Sequence, residues 1–187
     1  MRLLLLALLL VLSGCAVKTW NVAGPTEFTN GLKVSIKTNA WSYSPSDLSR
    51  YVIPIYLEVV NTTDEAIELK REDVFLLDEG GNQFNSLEPR DVMALLRGDY
   101  GMGFSFGIGY WSSPFGIWWY PYYTLPPREY VYPDIVNRAF TFGKLQPKAR
   151  LSGFVYFPTP GEDTKRLTLY IKGYRFSLEA SRQFHEN

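Results

Sequence analysis

Apolar and polar residues alternate along several short stretches of the chain, which predicts β-strands. Leu32, Val34 and Ile36 alternate with lysine and serine, and side chains two residues apart share one face of a strand. Similar alternations or short apolar runs recur over residues 51–60, 67–69, 74–77, 151–157, 167–171 and 174–178. Turn residues separate them. Seven or eight short strands predict an all-β fold, an antiparallel sandwich or barrel.

Three features modify this pattern. Residues 87–97, with Pro89 near their start and Gly98 after their end, predict a helix of one or two turns. Pro54 lies inside a predicted strand and indicates an edge position or a bulge, because proline has no N–H to donate. Residues 17–31 are polar, contain Gly and Pro, and show no sustained periodicity. They predict a tether that precedes the ordered fold.

The first residues have the layout of a secretory signal peptide. A positive start is followed by ten apolar residues, 3–12, and then by Ser13-Gly14-Cys15. Ten residues are too few for a membrane-spanning helix, which needs about 20. We therefore expect this segment to direct export.

The residues Leu12-Ser13-Gly14-Cys15 closely resemble the bacterial lipobox. The resemblance implies that residues 1–14 are removed and that Cys15 becomes a lipid attachment point, with residues 15–31 as a lipidated tether. Two or more acyl chains anchor a protein firmly. Ala16, in place of an Asp that would favour inner-membrane retention, implies the periplasmic face of the outer membrane. The alternative is an ordinary signal peptide with Cys15 as an unmodified thiol.

Turn and core residues in the rest of the chain carry a second resemblance. The first group is Asn61-Thr62-Thr63-Asp64, Ile67, Leu69, Asp73, Phe75, Leu77-Asp78, Gly80-Gly81-Asn82 and Phe84; the second is Leu145-Gln146-Pro147, Gly153-Phe154 and Tyr156-Phe157. Together they resemble the immunoglobulin-like domains of uncharacterised bacterial lipoproteins and secreted proteins. The resemblance implies an immunoglobulin-like antiparallel β-sandwich over residues 32–187, with an insertion at about 97–139. It implies a fold and no reaction.

An aromatic and glycine-rich segment lies inside this insertion. Residues 100–127 contain no charged residue, and residues 100–123 contain eleven aromatic residues. Gly and Pro recur too often for a membrane-spanning helix. Trp and Tyr favour membrane interfaces, so we expect contact with the membrane or an envelope partner. The candidate contact residues are Tyr110, Trp111, Phe115, Trp118, Trp119, Tyr120, Tyr122 and Tyr123.

Other interpretations of this segment stay open. Its rings would cover core surface if the segment folded back onto the sheets, since aromatic residues are mostly buried. They would also serve as stacking surfaces in a groove for carbohydrates or peptides. A low-complexity spacer is the fourth interpretation.

Composition narrows the chemistry. Nineteen basic and nineteen acidic residues give a formal net charge of zero, which argues against a nucleic-acid partner. One Cys and one His exclude an internal disulfide, a Cys/His zinc cluster and a His-based triad. Residues 78–82 predict a turn rather than a calcium loop, because the alternating oxygen ligands are missing. We therefore predict no metal, cofactor or catalytic residue, although spacing alone does not exclude a pair of glycosidase carboxylates.

These patterns together predict a non-enzymatic, lipid-anchored protein of the bacterial cell envelope. Its expected partners are the membrane, through acylated Cys15, and an envelope protein. The alternative is a lipoprotein that binds carbohydrate or peptide through the aromatic segment. A hydrolase is the third possibility.

Overall fold

The computed structural model describes residues 17–23, 28–29, 31–97 and 132–183. These residues form antiparallel sheets and two short helices, so the all-β prediction is confirmed. The strands are β1 (Val17–Ala23), β2 (Phe28–Thr29), β3 (Leu32–Lys37), β4 (Val52–Asn61), β5 (Ile67–Leu69), β6 (Val74–Asp78), β7 (Gln83–Asn85), β8 (Gly143–Leu145), β9 (Arg150–Pro158), β10 (Arg166–Ile171) and β11 (Tyr174–Gln183). The helices are α1 (Pro89–Arg97) and α2 (Pro133–Asn137), and 3₁₀ turns cover Leu48–Arg50 and Arg71–Asp73.

The strands form two larger sheets and one small pair. The five-stranded sheet has the order β1-β11-β10-β6-β7, and the four-stranded sheet has the order β2-β3-β4-β9. The short strands β5 and β8 pair with each other. Neighbouring strands in all three are antiparallel. The hairpin predicted at residues 78–82 is confirmed, because β6 and β7 pair on either side of it.

The two larger sheets share one hydrophobic core. Alternate side chains of β10 and β11 enter it from one sheet, and alternate side chains of β3 and β4 enter it from the other. Members that are almost fully buried are Val34, Ile55, Leu57, Val59, Phe157, Leu167, Leu169, Ile171 and Leu178. Burial of one face per strand explains the period of two in the sequence. We call this pair of packed sheets the two-sheet body.

Pro54 occupies an edge position, as predicted. β4 pairs with β9 along almost its whole length, but its pairing with β3 begins only at Tyr56. At Pro54, β4 therefore has a neighbouring strand on one side only. The missing N–H costs no ladder hydrogen bond on the open side.

Residues 17–31, predicted to be a tether, contain two strands. β1 pairs with β11 along its full length, and β2 pairs with β3. Trp20 of β1 is buried in the core. The prediction that ordered structure begins after Gly31 is therefore wrong. Among residues 18–22 only Trp20 is fully buried, so this edge strand shows no alternation.

Asn61, at the end of β4, holds two loops together. Its side chain is completely buried. Nδ2 donates to the carbonyl oxygens of Glu65 (2.7 Å), Leu145 (3.3 Å) and Gln146 (3.1 Å). Oδ1 accepts from both the backbone N–H and the hydroxyl of Thr63. The Asn-Thr-Thr sequence that begins here is therefore a structural turn, and its amide is not presented at the surface as a glycosylation acceptor would be.

Candidate functional site

The residues that the sequence singles out for function lie outside the described residues. They are Cys15 and the aromatic residues Tyr110, Trp111, Phe115, Trp118, Trp119, Tyr120, Tyr122 and Tyr123. Residues 98–131 are bordered by α1 on one side and by Tyr132 and α2 on the other, and both of these flanks are described. It also defines β1, which begins two residues after Cys15.

Helix α1 forms the first flank. Pro89 occupies its first position, where the missing N–H costs nothing. The Asp91 carboxylate accepts the backbone N–H of Glu88 at 3.3 Å, at the positive end of the helix. Val92 is completely buried, and Leu95 and Leu96, one turn later, pack partly buried beside it. This i, i+3, i+4 spacing turns one side of the helix toward the sheet.

Helix α2 forms the second flank and is held by tertiary contacts. Its Ile135 is completely buried, and the Ile135 carbonyl accepts a hydrogen bond from the Tyr156 hydroxyl at 3.0 Å. The Asp134 carboxylate accepts the backbone N–H of Ser44 at 3.2 Å. The same carboxylate lies 3.4 Å from Arg138 Nε. Burial raises the pKa of the Tyr156 hydroxyl well above its usual value, so this donor stays protonated.

Both helices cover the outer face of the four-stranded sheet and form a second hydrophobic core. Its buried members are Leu48, Val52, Val92, Ile135, Phe154 and Tyr156. Aromatic rings from the segment before β4 complete it. Trp41 packs edge-on against Phe154 with centroids 5.0 Å apart, and its Nε1 donates to the Pro45 carbonyl at 2.8 Å. The Arg138 guanidinium lies 3.5 Å from the centre of the Tyr43 ring.

The flanks also close the free edge of β9. The Leu87 N–H donates to the Tyr156 carbonyl at 2.8 Å. The Phe154 N–H donates to the Arg138 carbonyl at 2.7 Å, and the Phe140 N–H donates to the Phe154 carbonyl at 2.8 Å. Unpaired edge strands are a liability, and these bonds satisfy groups that β9 would otherwise expose. The segment before α1 and the segment after α2 thus contact β9 at Tyr156 and Phe154, which are only two residues apart.

The second core lies at one end of the two-sheet body. At this end β1 starts and β9 ends: Lys18 Nζ donates to the carbonyl oxygens of Gly161 (3.2 Å) and Glu162 (2.9 Å), in the loop after β9. The Thr159 hydroxyl donates to the Tyr51 carbonyl at 3.2 Å, directly before β4. We call this the β1 end. Asn61 lies at the opposite end of β4, which we call the Asn61 end.

The carboxylate of Asp78, considered above as a calcium ligand, is used by its own turn. Oδ1 accepts the backbone N–H groups of Gly80 (2.9 Å) and Asn82 (2.8 Å), and Oδ2 accepts the Asn82 amide at 2.8 Å. The Asn82 amide and these backbone groups hold the pKa of the Asp78 carboxyl below its usual value. The interpretation of residues 78–82 as a turn is therefore confirmed.

Within residues 17–23, 28–29, 31–97 and 132–183, no cluster of three or more His, Cys, Asp or Glu side chains is placed to hold a metal ion. In the same ranges no helix combines the length and hydropathy needed to cross a bilayer. Comparison of the chain with protein-family models, with curated proteins and with solved structures finds no match in any of the three.

The helix predicted within residues 87–97 is confirmed as α1, but the sequence missed Trp41, Tyr43 and α2, which complete the second core. Trp41 and Tyr43 stand beside or within a polar stretch, and α2 has only five residues. None of these segments contains a period long enough to predict an element. The available signals were the apolar runs in β9 and at the start of β4, which do not alternate.

Proposed function

We propose that this protein is a lipid-anchored component of the bacterial cell envelope with a non-catalytic, structural or interaction role. Acylated Cys15 attaches it to the periplasmic face of the outer membrane. The aromatic segment, residues 100–123, contacts the membrane or an envelope partner. The lipobox-like residues 12–15 and the concentration of Trp and Tyr support both parts of this proposal.

The placement of the two flanks is the observation that carries the proposal. α1 and α2 lie over the half of the four-stranded sheet that ends at Val52 and Pro158. Lys18, three residues after Cys15, contacts the loop at this same end. The helices that flank the aromatic segment therefore lie over the end of the two-sheet body at which β1 begins. A segment that is attached at this end is well placed to meet the membrane that holds Cys15.

The strand order supports an immunoglobulin-like sandwich as the fold. In such domains strands A, B, E and D form one sheet, and strands C, F and G form the other. By position, β3, β4 and β9 correspond to A, B and E, and β6, β10 and β11 correspond to C, F and G. The flanks of the aromatic segment then stand where strand D would pair with E. Their bonds to β9 at residues 87 and 138–140 occupy that edge.

Acylation is tested first. The full-length protein is produced in a bacterial host that processes lipoproteins, and mass spectrometry of its N-terminal peptide is expected to show an acylated Cys15. The variant Cys15→Ser is expected to remain unacylated and to keep its leader, whereas the neighbouring control Ala16→Ser keeps the lipid. In an enterobacterial host, Ala16→Asp is expected to move the protein to the inner membrane. A bare Cys15 or an uncut leader in the wild-type protein refutes the anchor.

Contact through the aromatic segment is tested with a chain that begins at Val17, so that neither the leader nor an acyl chain binds the vesicles. Trp emission is followed on addition of liposomes to this protein and to a version in which Trp111, Trp118 and Trp119 are replaced by Ala. A blue shift and co-sedimentation that disappear in the triple variant support membrane contact. Their absence from both proteins rejects it. Quenching by soluble oligosaccharide or peptide without vesicles favours the binding-groove alternative instead.

A further inference from the structure

We propose that the β1 end of the two-sheet body is seated directly on the lipid headgroup surface, with Tyr51 at the interface. This inference rests on the proposed acylation of Cys15. It goes further because it identifies the protein surface that meets the membrane and the reason for its orientation.

The spacing between Cys15 and β1 leaves no free linker. Only Ala16 separates Cys15 from Val17, and two residues of extended chain span at most about 7 Å. Val17 is opposite Gln183 in the ladder between β1 and β11. An acyl group on Cys15 therefore holds Val17, and with it this end of the five-stranded sheet, within a short distance of the headgroups. A lipoprotein with a long tether has no such constraint.

The sheet is shaped so that β1 and β11 reach the membrane first. Arg166, the first residue of β10, is opposite Glu179 in β11, and Glu179 is opposite Asn21 in β1. Val17 therefore extends four residues beyond the start of β10, which is about 13 Å along the strand. The loop after β9 lies beside this projection, where Lys18 contacts it.

An exposed apolar side chain lies at the β1 end. Among the described residues, the large hydrophobic side chains left exposed are Tyr51, at 43%, and Val136, at 48%. Tyr51 lies at the β1 end, where its carbonyl accepts a bond from Thr159. Val136 belongs to α2, which covers the adjoining half of the sheet. Tyr is enriched at membrane interfaces because its ring is apolar and its hydroxyl stays hydrated.

The charge of the β1 end gives no preference for one class of lipid headgroup. The basic side chains Lys18, Lys165 and Arg166 stand at this end beside the acidic side chains Glu79, Glu162 and Asp163. A balanced surface of this kind has no strong attraction for anionic lipid. The seating is therefore imposed by the short anchor, and we expect it to be the same on zwitterionic and anionic vesicles and insensitive to salt.

Site-specific quenching tests the orientation. Acylation consumes Cys15, so a single introduced cysteine in the full-length acylated protein carries a unique fluorescent label. Glu162→Cys places the label at the β1 end, and the matched control Asp64→Cys places it in an exposed acidic loop at the Asn61 end. The ten residues of β4 separate these ends by about 30 Å. In phosphatidylcholine vesicles that contain a headgroup-labelled nitroxide lipid, we expect severalfold greater quenching at position 162 than at position 64.

Two further variants test whether the short connection to Cys15 causes the difference in quenching and whether Tyr51 lies at the interface. A twelve-residue Gly/Ser linker inserted between Ala16 and Val17 keeps the anchor but lengthens the connection to roughly 20 Å, and the contrast is expected to fall. A label at Tyr51→Cys is expected to be quenched as strongly as the label at position 162. Equal quenching at positions 64 and 162, or a contrast that survives the linker, overturns this inference while acylation still stands. Failure of the wild-type protein to float with vesicles, with a bare Cys15, refutes the proposed anchor itself.

Discussion

The buried amide of Asn61 offers a quantitative test of how the two-sheet body is held together. In Asn61→Ala, three carbonyl oxygens lose the Asn61 amide as a donor, and the Thr63 N–H and hydroxyl lose their shared acceptor. The Glu65 carbonyl also accepts from the Thr63 hydroxyl and the Gln146 carbonyl from the Ala149 N–H, so each lost bond costs only about 1 kcal/mol. The buried Leu145 carbonyl is left unsatisfied, which adds about 1 to 3 kcal/mol. We therefore expect a loss of about 3 to 5 kcal/mol, a large part of a typical domain stability of about 5–15 kcal/mol.

Urea unfolding, followed by Trp fluorescence at fixed protein concentration, measures this loss. The near-isosteric variant Asn61→Asp keeps the shape but removes both amide donors, so a similar loss there excludes a simple packing effect. The control Asn137→Ala changes an exposed asparagine and is expected to stay within about 0.5 kcal/mol of the wild type. The reasoning fails if Asn61→Ala unfolds at the same urea concentration as Asn137→Ala.

Three further predictions concern the edge of β9, the second core and the acidic hairpin. A Cβ at Gly153 would lie 2.7 Å from the backbone of Phe140, so Gly153→Ala is expected to cost about 1 to 3 kcal/mol in urea unfolding, whereas Gly161→Ala, with open space around it, is expected to cost little. Tyr156→Phe removes the donor to the Ile135 carbonyl and is expected to cost about 1 to 2 kcal/mol and to speed amide exchange in α2; unchanged exchange would refute that role. The pKa of Asp78 is lower in the folded protein, so its stabilisation is present above the unfolded pKa and is lost as the pH falls through the folded one. Asp78→Asn is accordingly expected to weaken the loss of stability between pH 5 and pH 2, and an identical acid profile would contradict this assignment.

Most of the two-sheet body was predictable because one face of each strand meets the core and the other meets water. β3 and β10 show this alternation clearly, and both strands lie where the pattern predicts them. β1 was missed for the same physical reason. An edge strand needs only a single anchor, and Trp20 supplies it while its neighbours stay polar or partly exposed. Polarity therefore does not distinguish an edge strand from a tether.

The second core was not predictable because it is assembled from distant segments. Trp41 precedes β4, Val92 belongs to α1, and Ile135 follows more than forty residues later. α2 is a helix of five residues, which is too short to be stable without tertiary contacts. Its contacts with Tyr156 and Ser44 stabilise it, and no local window of sequence contains them.

The strand pattern nevertheless contained evidence that something covers the outer face of the four-stranded sheet. A sheet with one face in water is expected to alternate, whereas a strand covered on both faces is expected to be continuously apolar. In β9, residues 153–157 are all buried, and in β4, residues 52–55 are all buried. Both runs lie at the β1 end, and the alternation of β4 returns toward Asn61. Loss of alternation thus marks the half of the sheet on which the flanks of the aromatic segment lie. The same reasoning predicts that shortening residues 98–131 to a brief Gly/Ser loop leaves this half covered, because α1 and α2 carry the buried contacts themselves. Unfolding of such a variant, rather than loss of membrane or partner contact alone, would show that the aromatic segment is part of the core.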